Sequence, residues 1–197
     1  MRLKKGTGIV FVLLCATALS LSAVQTLPVR LADEQTLQQY AGVYQWNRES
    51  FLYIQLWDEF SGLGKPRQLV AFDESGLVRT LYVTDKPDQF SAGPGMAAAE
   101  PVESEIRFER AQNGKVASLT WTNRNREPRN ARRADIEKHE DVRFTSRASV
   151  RLAGTLITPT KSGKHPAIIL VHGSGAENRE YMLPWARFLI RRGVAIL

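Results

Sequence analysis

Between residue 33 and about residue 145, short runs alternate apolar with polar residues and are separated by turn signals. That period of two restricts the fold more than any other feature of the chain. In Glu105-Ile106-Arg107-Phe108-Glu109, Ile106 and Phe108 fall on one side and the charged residues on the other. Leu119 and Trp121 alternate in the same way with Ser118, Thr120 and Thr122. Successive side chains of a strand point to opposite faces, so each run has one face for a core and one for water. Further runs lie at Val43–Trp46, Phe51–Trp57, Gln68–Phe72 and Leu77–Val83. Asn113-Gly114 and Glu74-Ser75-Gly76 stand between runs, where hairpin turns belong. Sequential hairpins predict an antiparallel meander closed into a small barrel or sandwich over residues 33–145.

Tyr44, Trp46, Phe51, Tyr53 and Trp57 are expected to fill the core of that module, as aromatic side chains do in small β proteins. Glu103, Glu105 and Glu109 belong on a solvated strand face. Residues Ser91 to Ala99 are small and read as a surface loop, and Asp33 to Tyr40 as a short helical stretch. From Arg124 to Arg151 nine cations are interleaved with Glu127, Asp135, Glu137, Glu140 and Asp141. Without stacking aromatics, this mixture reads as a solvated connector, and no nucleic-acid partner is expected.

Residues 1–23 have a different plan. Arg2, Lys4 and Lys5 precede an uncharged apolar stretch from Ile9 to Leu21, and small residues gather at Ser20, Ser22 and Ala23. These are the three parts of a secretory signal peptide, with cleavage after Ser22 or Ala23. An uncleaved membrane anchor is the rival reading, although Ile9 to Val24 is slightly short of the roughly 20 residues that span a bilayer. Leu14 before Cys15 argues against a lipoprotein site. The expected location is periplasmic or extracellular, with membrane contact only through this segment. Cleavage would remove three cations, lowering the net charge from +7 to +4. It would also remove Cys15, the single cysteine, so no disulfide framework or Cys-rich zinc site is expected.

After Ala148 the pattern changes. Ala167-Ile168-Ile169-Leu170-Val171 contains no polar residue and reads as a strand buried on both faces, as in a parallel sheet. His172-Gly173-Ser174-Gly175 ends it. Glu177 to Arg192 has largely helical spacing, with Arg191 and Arg192 where cations suit the helix dipole. Gly193 is a stop signal, and Val194–Leu197 starts another strand. Strand, Gly-rich turn, helix and strand make one βαβ unit.

Two resemblances attach to these residues. Leu37-Gln38-Gln39-Tyr40-Ala41-Gly42-Val43-Tyr44, at the head of the meander, resembles the small lipocalin-like β-barrel modules attached to some secreted hydrolases. The series Leu152–Leu156, Pro166–Gly175, Asn178-Arg179 and Arg192–Leu197 resembles the N-terminal part of an α/β-hydrolase of the secreted esterase- and peptidase-like group. That match covers residues 148–197. It implies an α+β protein overall, in which the β module is followed by the start of a doubly wound α/β-hydrolase sheet.

The second resemblance also implies a site. The turn after the His-Gly strand would form the oxyanion hole. Its donor would be the Ser174 N–H, with Gly173 and Gly175 shaping the turn and His172 ordering the loop. Backbone N–H groups fixed in this way stabilise charge that develops on a carbonyl oxygen. The nucleophile in this family sits in G-x-S-x-G, followed by an acid and a histidine. No G-x-S-x-G occurs here, so all three are expected beyond Leu197. The chain then reads as the N-terminal fragment of an exported serine hydrolase acting on a small-molecule acyl substrate, the fragment itself being inactive. No cofactor and no metal are implied. His139 and His165 read as exposed. The alternatives are a secreted β-barrel binding module and a non-catalytic protein of the α/β-hydrolase fold.

Overall fold

The computed structural model describes residues 33–57, 67–173 and 179–197. The signal-like segment, Ser174 and Gly175 lie outside them. A short helix α1 (Glu34–Gln38) comes first, capped by Asp33, whose side chain accepts from the Thr36 amide at 2.9 Å. Eight strands follow: β1 (Gly42–Gln45), β2 (Phe51–Trp57), β3 (Gln68–Asp73), β4 (Val78–Val83), β5 (Gln89–Ala92), β6 (Ser104–Arg110), β7 (Val116–Asn123) and β8 (Pro128–Arg133). Each pairs antiparallel with the next. β8 returns to β1 through Tyr44↔Arg133 and Gln45↔Arg132, so the sheet closes into a barrel and these strands have no free edge.

The alternation expected from the sequence explains what fills the barrel. Leu52 and Ile54 of β2, Leu69 of β3, Leu81 of β4, Ile106 of β6 and Leu119 of β7 all point inward and are almost fully buried. The turn chemistry also matches the expectation. Asp73 Oδ1 accepts from the amides of Ser75 and Leu77 in the β3–β4 hairpin, and Asn113 accepts from the Lys115 amide in the β6–β7 hairpin.

One end of the barrel is sealed by α1 and the residues after it. Leu37 and Tyr40 join the core, and Tyr40 packs on Phe90 and Phe108 at 4.9 and 4.8 Å between ring centroids. The Tyr40 hydroxyl donates to Asp88 at 2.8 Å, and Arg110 pairs with the same carboxylate. Gly42 makes the closure possible. Its φ of +155° disfavours any side chain, and a Cβ there would sit 2.9 Å from the Arg133 guanidinium and push it aside. Arg133 passes there to reach the carbonyls of Gln39 and Ala41.

The remaining chain forms a four-stranded mixed sheet. β9 (Glu137–Thr145) pairs along its length with β10 (Arg151–Pro159). β11 (Ala167–Ile168) and β12 (Ala195–Ile196) are parallel, in the order β11-β12-β10-β9. A 3-10 turn (Arg179–Met182) leads into α2 (Leu183–Ile190), which has Pro184 in its first turn. α2 covers one face of the sheet through Ala186 and Ile190, packed on Ile157 and Ile196. Gly193, at φ +80°, donates to the Ile190 carbonyl and ends the helix as expected.

Several expectations change here. The cation-rich stretch 124–151 is not a connector: it supplies β8, which closes the barrel, and the whole of β9, which belongs to the second sheet. Ser91 and Ala92 are in β5, and only the residues after them form the loop. Phe51, Tyr53 and Trp57 face away from the barrel interior, against the C-terminal residues. The Ala167–Val171 run is not buried on both faces: Ile169 is 68% exposed and Val171 79%. The described residues form an eight-stranded antiparallel barrel and a small mixed sheet with one short parallel pair and little helix. This is not the start of a doubly wound α/β-hydrolase sheet.

Candidate functional site

Apolar side chains pack the centre of the barrel. Tyr44 is fully buried there, its hydroxyl donating to the Tyr40 carbonyl at 2.7 Å. Burial pushes that phenol up to about 12. The chemically varied surface lies on the outside of β2, where a second layer covers the barrel wall.

β2 is buried on both faces. Its inward residues belong to the barrel core, while Phe51, Tyr53, Gln55 and Trp57 meet α2 and the turn before it. The helix accomplishes this by using two stripes. Leu183, Ala186 and Ile190 face the mixed sheet, whereas Pro184, Arg187, Phe188 and Arg191 follow i, i+3, i+4, i+7 spacing on the barrel side.

Arg187 is 5% exposed. Its Nη1 donates to Gln55 Oε1 at 3.0 Å and its Nε to Glu137 Oε1 at 3.3 Å. It therefore ties the barrel, the helix and the mixed sheet together at one point. Arg191 adds a second tie: it donates to the Glu49 carbonyl at 2.8 Å, pairs with Glu74 and lies over the Phe51 ring. Arg67 adds a third by pairing with Glu180.

Between these ties a cavity of about 230 Å³ opens, lined by Tyr53, Phe72, Asp73, Glu74, Pro184, Trp185 and Phe188. Tyr53 and Phe72 are register partners on β2 and β3, and their rings stack at 5.3 Å with 26° between planes. Trp185 and Phe188 are 66% and 43% exposed. The two carboxylates are occupied elsewhere, Asp73 in its turn and Glu74 on Arg191. The Tyr53 hydroxyl is buried and makes no well-formed hydrogen bond. Burial raises the Tyr53 phenol above its ordinary value and Arg191 offsets this only in part, so the group stays protonated and can donate. The arrangement suits one small ring or a short apolar chain that carries an acceptor oxygen. A dry cavity of about 150 Å³ already accepts benzene.

Glu137 makes the seam sensitive to acid. Burial pushes its carboxyl up, but the His139 hydrogen bond and the Arg187 charge outweigh that and hold it below the ordinary 4.5. A depressed carboxylate contributes its full stabilisation above the ordinary value and loses it as pH falls through the lower folded-state value. Stability measured by urea unfolding should therefore fall with acid below about pH 4.5, and Glu137→Gln should flatten that part of the profile. An unchanged slope in the variant would remove Glu137 from this role.

The residues expected to act as an oxyanion hole are only partly within view. His172 and Gly173 are described, and His172 Nδ1 lies 2.8 Å from the carbonyl oxygen of Gly173. Ser174 and Gly175 lie outside the described residues. His139 is exposed, as expected, and sits 3.0 Å from Glu137, whereas His165 is half-buried and spans the carbonyls of Lys161 and Gly193 at 2.9 and 3.0 Å. Glu105 and Glu109 are exposed, as expected, with Glu109 accepting from the Ser118 hydroxyl. Among the described residues no three metal-ligating side chains cluster, and no helix is long and apolar enough to cross a membrane.

The fold and cavity together define a closed antiparallel β-barrel with an apolar site on its outer wall, roofed by a helix from a second layer. Comparison with family models, with curated proteins and with solved structures finds no match. The resemblance to α/β-hydrolases is thereby corrected: no family model supports it, and the architecture is dominated by an antiparallel barrel. The serine acyl-transfer chemistry was an expectation drawn from that resemblance alone.

Sequence reasoning placed Tyr53 in the core and Trp185 and Phe188 on a helix, and did not bring them together. A signal was present in Arg187 and Arg191, two cations on the helix stripe that also carries Pro184 and Phe188.

Proposed function

We propose that the chain is an exported β-barrel binding module that takes up a small aromatic or short-chain apolar ligand at the seam between β2–β3 and α2. The observation that carries this reading is the apolar cavity of about 230 Å³ floored by the stacked Tyr53 and Phe72 and roofed by the exposed Trp185 and Phe188. Ligand sites favour this composition: mostly apolar walls with few polar groups to fix orientation. Two sequence features support it. Residues 1–23 have the three-part signal plan, and Leu37–Tyr44 resembles lipocalin-like modules.

A ring with one acceptor oxygen would stack on Tyr53 and Phe72 and accept from the Tyr53 hydroxyl. For a ligand of this size, affinity in the range of about 10 μM to 1 mM is expected. The test is calorimetric titration with p-cresol, comparing the unaltered chain with Trp185→Ala. Removal of the indole should weaken binding at least about tenfold, an aromatic contact in a small site being worth about 1.4 kcal/mol or more. Equal binding by both proteins, or none by either, would refute the site.

A further inference from the structure

At the sealed end of the barrel, the rim arginines follow one construction: an aromatic ring against the guanidinium and an oxygen that accepts from it. Arg133 lies over the Tyr44 ring at 5.8 Å and donates to the carbonyls of Gln39 and Ala41 at 3.0 and 2.6 Å. Arg110 lies over the Tyr40 ring at 5.4 Å and donates to the Asp88 carboxylate at 2.9 Å. At the opposite end the construction is half-built. Arg129 lies over the Trp46 ring at 4.3 Å, nearer than in either other pair, and has no oxygen partner among the described residues.

A second arginine serves the same place. Consecutive strands alternate in direction, so the first residues of β4 and β8 lie at one end, where β1 stops just before Trp46. Arg79 shares the inward side of β4 with Leu81, and Arg129 that of β8 with Ala131, by the alternation of a strand. β4 and β8 are four strands apart either way around the barrel, so they face each other across its mouth. The interior of an eight-stranded barrel is just wide enough for side chains to fill, so two arginines from opposite strands reach common ground there. Arg79 Nη1 donates to the Val78 carbonyl at 2.9 Å, and neither arginine pairs with a carboxylate among the described residues. The carboxylates of Asp73, Glu74 and Glu103 at this end are engaged, in a turn, with Arg191 and with Arg124.

We propose that this mouth of the barrel binds a small organic carboxylate between Arg79 and Arg129. The carboxylate takes the part that Asp88 and the Gln39 and Ala41 carbonyls play at the sealed end, and accepts from both guanidinium groups. The planar fork of an arginine matches the two oxygens of a carboxylate, and such charge-assisted bonds are the strong ones. Trp46 and Leu77, half-buried and packed on the core, supply an apolar wall for the body of the ligand. One face of Trp46 carries Arg129, so the ligand is held at its charged end first and by apolar contact second. The site shares no residue with the seam cavity, so either site can fail without the other.

The test titrates the whole ¹⁵N-labelled chain with phenylacetate and follows the tryptophan indole N–H signals. The expected result is a saturable shift of the Trp46 indole with the Trp185 indole unmoved, at an affinity in the range of about 0.1 to 10 mM. Phenylacetamide has the same shape without the charge and should bind at least about tenfold more weakly. Arg129→Gln and Arg79→Gln should each weaken phenylacetate binding about tenfold or more. Arg79→Gln leaves the Trp46 stack intact and decides alone if the first variant does not fold. Arg132→Gln removes an exposed cation on the outward side of β8 and should leave the affinity unchanged, which separates the site from general surface charge. No saturable shift of Trp46, equal binding of phenylacetate and phenylacetamide, or unchanged affinity in Arg79→Gln would each overturn the proposal. A shift of Trp185 in place of Trp46 would overturn it too, by putting the carboxylate in the seam cavity.

Discussion

Arg187→Ala should lower the unfolding free energy by about 3–5 kcal/mol, the range for removing one partner of a buried ion pair. Arg187 has three kinds of contact to lose: the Gln55 amide oxygen, the Glu137 carboxylate and the face of the Tyr53 ring. The larger part of the cost is what remains behind. Glu137 has a side chain only 10% exposed and would keep its charge with His139 as its one described hydrogen-bond partner. A second measurement separates this from mere loss of packing. In Arg187→Met with Glu137→Gln, both charges are gone and the long side chain is kept, so much of the loss should be recovered. Urea unfolding of the two single variants and the double variant gives the coupling directly. A single-variant cost below about 1 kcal/mol would mean that Arg187 sits in water and that the helix is not docked on the barrel.

Ile106→Ala should cost about 2–5 kcal/mol, while Glu105→Ala next to it should stay within about 0.5 kcal/mol. Ile106 is fully buried, opposite Phe90 on β5 and Trp121 on β7, and the closed barrel leaves little freedom to collapse around the space created. Glu105 lies on the outer face. The contrast between adjacent positions is the energetic signature of the period-two pattern. Denaturant midpoints for the two variants measure it, and comparable losses at both sites would contradict the inward-outward assignment of β6.

The same strand shows why parts of the fold were legible. β6 and β7 carry their fold in their own alternation, because one side meets apolar neighbours and the other meets water. β8 does not. Pro128-Arg129-Asn130-Ala131-Arg132-Arg133 has one well-buried residue, Ala131, and is held mainly by backbone pairing to β7 and β1. Closure of a barrel is a requirement of the backbone, and no local pattern of side chains announces it. β9 was hidden for a related reason: its polar residues face solvent or join ion pairs, as Asp141 does with Arg179.

β2 and the Ala167–Val171 run illustrate opposite failures. Both are rich in apolar residues, yet one is covered on both faces and the other is open to solvent. The difference lies in whether another element arrives to cover them, which composition does not encode. The seam is harder still to foresee. Gln55 and Arg187 are 132 positions apart, and Trp185 and Tyr53 border one cavity only because α2 docks with its second stripe against the barrel.

The most direct test of a ligand site on the barrel wall uses the indole N–H resonances of the four tryptophans, followed in a ¹⁵N-labelled chain as p-cresol is added. Trp185 borders the cavity, whereas Trp121 belongs to the filled barrel core and Trp46 packs against it. The expected result is a saturable shift of the Trp185 indole with the Trp46 and Trp121 signals unmoved. Saturable shifts at Trp46 and Trp121 with Trp185 unchanged would place the ligand inside the barrel and contradict the account, as would no saturable shift at any of the four.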